Sequence, residues 1–359
     1  MWVADMDFPA PKPILNKLHK VVDHGVFGYE MATPALKETV AARIDRLYGW
    51  KVKPEAVVAV TGIVSGFSVA ARVICTSKKG VLVQTPVYSE FHELKNNVGI
   101  PQLDAPLIKH VNGNILSYEI DWDIFEKQVK KVGMFLLCNP HNPLGIIFSR
   151  RELLKMAKIC IKNNVLIVSD EIHSELLLDD NKFTPLAKLS AEIAKHTITL
   201  VAPSKTFNIP GLFCGFAIIT DQDLRERYEK EVSRSRMHVS SAGLYAAEAA
   251  FSGQCDDWLK ELNRYLTGNR DFLVEYVTEN MPEVRLTIPD ATYLAWLDFT
   301  QTGIVGSPFE FFLKNAKVAA SDGKIFGREG ERHVRLNFGT SRKLLEQGLE
   351  RMRKAIKSL

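Results

Sequence analysis

No apolar run in this sequence is long enough to cross a membrane. Runs such as VLIV at 165–168 stop after a few residues, far short of the roughly 20 that a spanning helix needs. No block of five consecutive basic residues occurs, and the net charge of +4 is spread with both signs interspersed. That excludes the electrostatic footprint of a nucleic-acid binder. No cleavable signal pattern opens the chain, since WVADMDFP is acidic where a signal peptide would be basic. The five cysteines, at 75, 138, 160, 214 and 255, are odd in number and form no CxxC or Cys/His ligand spacing. They read as reduced thiols that pack as small hydrophobes in a cytoplasmic protein, with no disulfide framework and no metal site. There is no GxSxG or HExxH motif, and the nine histidines never fall at metal-ligand spacing. The glycine-rich GKIFGREG (323–330) lacks the order of a nucleotide-binding loop.

What is present is the pattern of a globular enzyme of about two domains: 359 residues, 46% hydrophobic and 25% charged. Residues 35–48 place Leu36, Val40, Ile44 and Leu47 on one helical face, and Gly49 stops the helix. GVLVQTP (80–86) and GMFLLCNP (133–140) are short strands ended by proline. SRRE (149–152) is a capping box, with Ser149 as N-cap and Glu152 three residues on. It opens a helix to about Asn163 that turns Leu153, Ala157, Cys160 and Ile161 inward. VLIVSD (165–170) and TITLVA (197–202) are further strands, apolar throughout rather than alternating, as strands covered on both faces are. Strand–helix–strand repetition of this kind predicts an α/β fold with a mostly parallel sheet. From about residue 221 the pattern changes to a charged helix (221–236), a long helix (256–281) suited to bridging two domains, strand-like YLAWLDF (293–299) and HVRLNF (333–338), and an amphipathic final helix. A smaller α+β domain is expected there. The expected division is an N-terminal segment at 1–28 contributing to the small domain, a large domain at 29–252, and a C-terminal small domain at 253–359.

In a parallel sheet, ligands bind beyond the carboxyl ends of the strands. Three polar clusters fall there: NPHNPLG (139–145), SDEIHSE (169–175) and PSKTFN (203–208). Taken singly they read as turns, a capping carboxylate and a solvated lysine. Together they fit one chemistry. A lysine in an apolar niche has a lowered pKa and forms a Schiff base with an aldehyde. A carboxylate keeps a pyridine nitrogen protonated, and an asparagine amide donates to a phenolate oxygen. Those are the needs of pyridoxal 5'-phosphate (PLP).

With WVADMDFPAP (2–11), GVFGYE (25–30), TPVYSEF (85–91), PSKTFNIPG and HVRLNFGTSR (333–342) added in order, the chain resembles a fold-type I PLP-dependent enzyme of the class I/II aminotransferase superfamily. It is most similar to the MalY/PatB-type cystathionine β-lyase (C–S lyase) branch. The resemblance implies that 29–252 is the PLP-binding domain. It implies Lys205 as the Schiff-base lysine and proton shuttle, and Asp170 as partner of the pyridine nitrogen. Asn142 would contact the ring O3′ near the substrate carboxylate, Tyr88 would stack on the ring, and Arg335 would clamp the carboxylate. Tyr29 would reach the phosphate of a neighbouring subunit's cofactor, which makes the expected assembly a homodimer with shared sites. The turn into the helix at 61–73 offers the backbone N–H groups of Ile63 and Val64 to the phosphate, with the Ser204 hydroxyl beside them. Trp2, in the opening motif, is assigned to the substrate pocket.

Two departures from typical aminotransferases point to the lyase branch. Phe213, eight residues past Lys205, stands where many relatives carry a phosphate-pairing arginine. His173, three past Asp170, replaces a tyrosine and is expected near O3′. Relatives also carry a segment ahead of the WVADMDF motif, at which this sequence begins. The expected activity is α,β-elimination from L-cystathionine or L-cysteine to pyruvate, ammonia and a thiol. An aminotransferase and a non-catalytic PLP-bound regulatory protein are the alternatives. Nucleic acid and membranes are not expected partners.

Overall fold

The computed structural model describes all 359 residues, and two sheets organise them. The larger has seven strands in the spatial order 57–60, 215–218, 197–201, 166–170, 134–138, 81–83 and 102–104. From 197–201 to 102–104 every neighbour is parallel. Strand 215–218 alone runs antiparallel to both of its neighbours. The inner strands 134–138 and 197–201 are buried at every residue, because helices cover both faces and leave no polar side for alternation to report. Helix Arg150–Lys162 begins with the capping box: Ser149 Oγ accepts from Glu152 N, and the Glu152 carboxylate accepts from Ser149 N. Leu153, Ala157 and Cys160 are buried as expected, whereas Ile161 is half-buried. Helix Pro34–Tyr48 ends at Gly49, which takes a left-handed φ of 61°. Leu36, Val40 and Ile44 are buried, but Leu47 is exposed because the last turn overruns the core.

The smaller sheet has six strands in the order 321–322, 333–337, 294–298, 285–287, 115–120 and 107–112. Its outer hairpin, 107–120, comes from inside the stretch read as the large domain and joins residues 285–287 in parallel. The sequence hides this crossing. Strand 107–112 is exposed at all but Leu107, so neither apolar run nor alternation marks it.

Helix Asp256–Asn280 touches both halves. It buries Leu259, Leu262, Leu266, Leu273 and Val277, each contributing about 1.5–3 kcal/mol of transfer free energy. Asn263 Nδ2 donates to Glu175 O beside the large sheet (2.9 Å), and Asn269 Nδ2 donates to Phe338 O (3.0 Å) and Thr340 O (2.7 Å) beside the small one. The carboxyl ends of the central parallel strands face strand 333–337, and Arg335 Nη1 donates to Asn142 Oδ1 between them at 3.1 Å.

Candidate active site

Three strands end side by side: Cys138 is in register with Asp170, and Asp170 with Leu200. Each hands its chain to a polar loop at the same edge. Asp170 is buried, with Ile172 N donating to its Oδ1 at 3.1 Å and no hydrogen bond to Oδ2. Loss of hydration pushes its pKa up to about 7, against the pull of that hydrogen bond and of Lys205.

Lys205 follows directly on strand 197–201. Pro203 starts a short helix, 203–206, its fixed φ suiting the first helical position. The helix turns the lysine back over the strand ends. Nζ donates to Ala4 O at 2.6 Å. Burial, then the nearby Arg335 charge, lower its pKa to about 8, while Asp5 and Asp170 pull upward. About a tenth of the amine is then neutral at pH 7, far more than for an ordinary lysine, which suits a proton acceptor.

Arg335 comes from the small sheet and is buried. It meets only neutral acceptors: Nη1 donates to Asn142 Oδ1 (3.1 Å), and Nη2 to Trp2 O (2.9 Å) and Ser321 Oγ (3.1 Å). Its Nε has no partner, and its plane lies over the Phe326 ring at 5.0 Å. Burial brings its pKa down to about 10, with Tyr88 and Tyr293 pulling upward. A desolvated guanidinium without an anion is a receptor for a carboxylate.

Tyr88, half-buried before helix Ser89–Val98, lies in the fields of Asp170, Arg335 and Cys138, although burial is the main cause that pushes its hydroxyl up to about 12. His173 is buried edge-on to Tyr293 at 6.0 Å, with Nδ1 unpartnered. Burial, helped by Lys205 and Arg335, lowers its pKa to about 3 and keeps it neutral. Helix Ile63–Ile74 has no side-chain cap and is preceded by Gly62 at φ 107°, a conformation that only glycine adopts freely. The first-turn N–H groups at Ile63 and Val64 are thus left for an anion. A Cβ on Gly215 would lie 3.4 Å from Gly62 Cα and 3.5 Å from Ala202 Cβ. That close approach brings the helix start beside the segment carrying Ser204.

Two residues singled out in the sequence stand apart. Tyr29 is 97% exposed, with His238 alongside at 6.0 Å. Trp2 is also exposed, and only its main-chain carbonyl meets Arg335. Phe213 is exposed at a left-handed φ of 47°. Tyr293, Ser321 and the Ala4 carbonyl join the site without having been singled out. Tyr293 OH donates to Ala4 O at 2.8 Å, and Ser321 lies in a stretch with no motif.

The unpartnered atoms test whether a PLP-sized anionic aldehyde suits these residues. A lysine of lowered pKa, a buried carboxylate with a free oxygen, an unpartnered imidazole nitrogen and an uncapped helix start are the complement such a group needs, and they fit. The sequence model of the aminotransferase class I and II family matches residues 17–352. Cystathionine β-lyase PatB of Bacillus subtilis is 38% identical over 360 residues, covering 99% of this chain and 92% of the relative. The chain belongs to the aminotransferase class I and II family, in its MalY/PatB branch. Among solved structures, cystalysin from Treponema denticola, which contains a PLP cofactor, superposes with a TM-score of 0.94 at 30% identity, covering 100% of this chain and 91% of that one. The PLP-bound C–S lyase from Staphylococcus hominis gives 0.93 at 30% identity, over 99% and 90%. The cofactor of this family member is PLP, and its fold is that of the fold-type I PLP enzymes.

Proposed function

We propose that this protein is a PLP-dependent C–S β-lyase that cleaves L-cystathionine or L-cysteine-type amino acids by α,β-elimination. The observation that carries the reading is the clustering of Lys205 within the fields of the buried Asp170 and Arg335, in a chain 38% identical to PatB over 99% of its length. When bound, PLP supplies a carbonyl for the substrate amine and a ring that accepts electrons from Cα.

The chain supplies the rest. Asp170, with one carboxylate oxygen left without a hydrogen bond, would hold the proton at the pyridine nitrogen. Tyr88 would cover the ring face, and Ile63, Val64 and Ser204 would take the phosphate without an arginine at position 213. His173 and Asn142 would serve O3′. Arg335 and Asn142, already joined by a hydrogen bond, would grip the substrate carboxylate and so orient the Cα–H bond toward Lys205. Lys205 Nζ takes the Cα proton, the Cβ–S bond breaks, and the thiolate leaves. The three-carbon enamine that departs hydrolyses to pyruvate and ammonia.

The exposed apolar stretch with Val22, Val26, Phe27, Tyr29 and Met31 supports a homodimer in which Tyr29 reaches the second subunit's phosphate site. The lack of a helix long and apolar enough to cross a membrane is in keeping with work in the cytoplasm.

Incubation with L-cystathionine and no keto acid tests the reading. Pyruvate and thiol should form in equal amounts. Product that forms only when a keto-acid acceptor is added would mean an aminotransferase, and PLP binding without any turnover would mean a regulatory protein.

A further inference from the structure

The first eight residues are threaded between the two halves of the site, and the carbonyls of the first five divide by parity. Odd carbonyls go to Asn337: its N–H donates to Met1 O (3.0 Å), and its Nδ2 donates to Val3 O (2.6 Å) and Asp5 O (2.5 Å). Even carbonyls go to the two cations. Trp2 O accepts from Arg335 Nη2 and from Ser321 Oγ (2.7 Å), and Ala4 O accepts from Lys205 Nζ and Tyr293 OH. Further along, Asn208 holds Met6 from both sides. Its Oδ1 accepts from Met6 N (2.9 Å), and its Nδ2 donates to Met6 O (2.7 Å) and Phe8 O (2.7 Å).

Both asparagines are built into the catalytic elements. Asn337 is two residues past Arg335 on the same strand, so both point to one face. Asn208 is three past Lys205, at a left-handed φ of 55°, which asparagine tolerates. Asn337 is itself oriented, because its Oδ1 accepts from Gly339 N at 2.7 Å. One strap is therefore fastened to the element bearing Lys205 and to the element bearing Arg335, and its carbonyls rest on both charges.

We propose that Asn337 and Asn208 are positioning residues, which pin residues 1–8 so that the Trp2 and Ala4 carbonyls aim Arg335 at the substrate carboxylate and Lys205 at Cα. Neutral carbonyls suit this task. They fix the direction of each cation without neutralising it, and so leave the guanidinium free to take a carboxylate. The inference rests on the assignment of Lys205 and Arg335 as base and clamp.

Asn337→Ala and the milder Asn337→Ser test it, with Asn208→Gly as the partner that removes an amide without straining the left-handed backbone. In Asn337→Ala, KM should rise about tenfold, the size expected from one or two lost hydrogen bonds. The acidic limb of the kcat profile should move to lower pH, because the lysine ammonium loses a carbonyl that favours its charged form. Asn337→Ser should fall between. Asn208→Gly should affect KM less, since Trp2 stays pinned. Independently of activity, hydrogen exchange in PLP-free protein should be faster at the Met6 and Asp7 amides in both Ala and Gly variants. A lowered Tm with KM and the acidic limb unmoved, or unchanged exchange at those amides, overturns the proposal. Turnover that survives Lys205→Ala overturns the site assignment instead, and the exchange arm separates the two failures.

Discussion

Arg43 and Arg335 are both buried, yet they differ in everything that surrounds them. Arg43 pairs with Glu175 through Nε (2.9 Å) and Nη2 and with Asp256 through Nη1 (2.8 Å), and it lies between the rings of Phe207 and Phe251 at 5.4 and 5.5 Å. Those carboxylates hold its pKa above the ordinary arginine value in spite of burial. Arg335 meets no carboxylate, keeps an unpartnered Nε, and has its pKa brought down. A buried charge that is fully paired ties elements together. Here those are helix Pro34–Tyr48, the loop after Asp170 and the start of the long helix. A buried charge surrounded by neutral acceptors is held at a cost in stability, and that cost is repaid when an anionic ligand arrives.

Substituting each arginine with methionine should therefore give opposite results. Arg335→Met should lower kcat/KM by about a thousandfold, the scale of a desolvated, charge-assisted clamp. It should leave Tm unchanged or raised, since a buried cation without an anion is replaced by a hydrophobe of similar length. Steady-state kinetics with scanning calorimetry reads both. A fall in Tm with retained kcat/KM would remove Arg335 from the site.

Arg43→Met should destabilise by about 3–5 kcal/mol, because Glu175 is left buried without its partner. Its kcat/KM per folded molecule should stay close to wild type. Urea unfolding alongside kinetics on the same preparation checks this. A large loss of activity at unchanged stability would show that the Phe207 contact carries orientation to Lys205, two residues away.

The same contrast divides the carboxylates and shows how much the sequence discloses. Asp170, Lys205 and Asn142 could be singled out because parallel strands are apolar to their ends and the polar residues begin where a ligand can sit, whereas Arg335, mid-strand in an antiparallel sheet, was marked by the family resemblance alone. Ser321 and Tyr293 were not legible, being single residues in stretches without a motif. The Trp2 and Ala4 carbonyls could not be, since a main-chain oxygen carries no residue identity. Nor could the hairpin 107–120, whose exposed strand has no apolar signature. The two-sheet frame was partly legible for the same reason: strands buried on both faces announce themselves, and exposed edges do not.

Asp170→Asn tests the lone carboxylate. With its folded pKa raised from 3.8 to about 7, Asp170 binds a proton more tightly folded than unfolded. Its contribution is fully present below pH 3.8 and is lost as pH rises through 7. In PLP-free protein, the stability of Asp170→Asn relative to wild type should therefore rise by roughly 4 kcal/mol from pH 4 to pH 8. Urea titrations at four or five pH values measure this. A difference independent of pH would mean that Asp170 is solvated.

The smallest effect is expected where a charge pair is well formed but open to solvent. On the final helix, Arg353 Nη2 and Nε reach Glu350 at 2.6 and 2.7 Å, and Lys354 adds a contact at 3.4 Å. Three charged side chains in a tight group look, by count of contacts, at least as strong as the Arg43 pair. Both partners are only half-buried and still reach solvent, however, so only part of their hydration is given up and the attraction is screened. Tyr276 OH also donates to the Glu350 carboxylate, which keeps a partner when the arginine is removed. Arg353→Ala should move Tm by no more than the scatter of replicate scans at 150 mM salt, and it should leave kcat and KM alone. A drop approaching that of Arg43→Met would mean that contact geometry outweighs burial in this molecule. In that case the contrast between the two buried arginines would need another cause than desolvation.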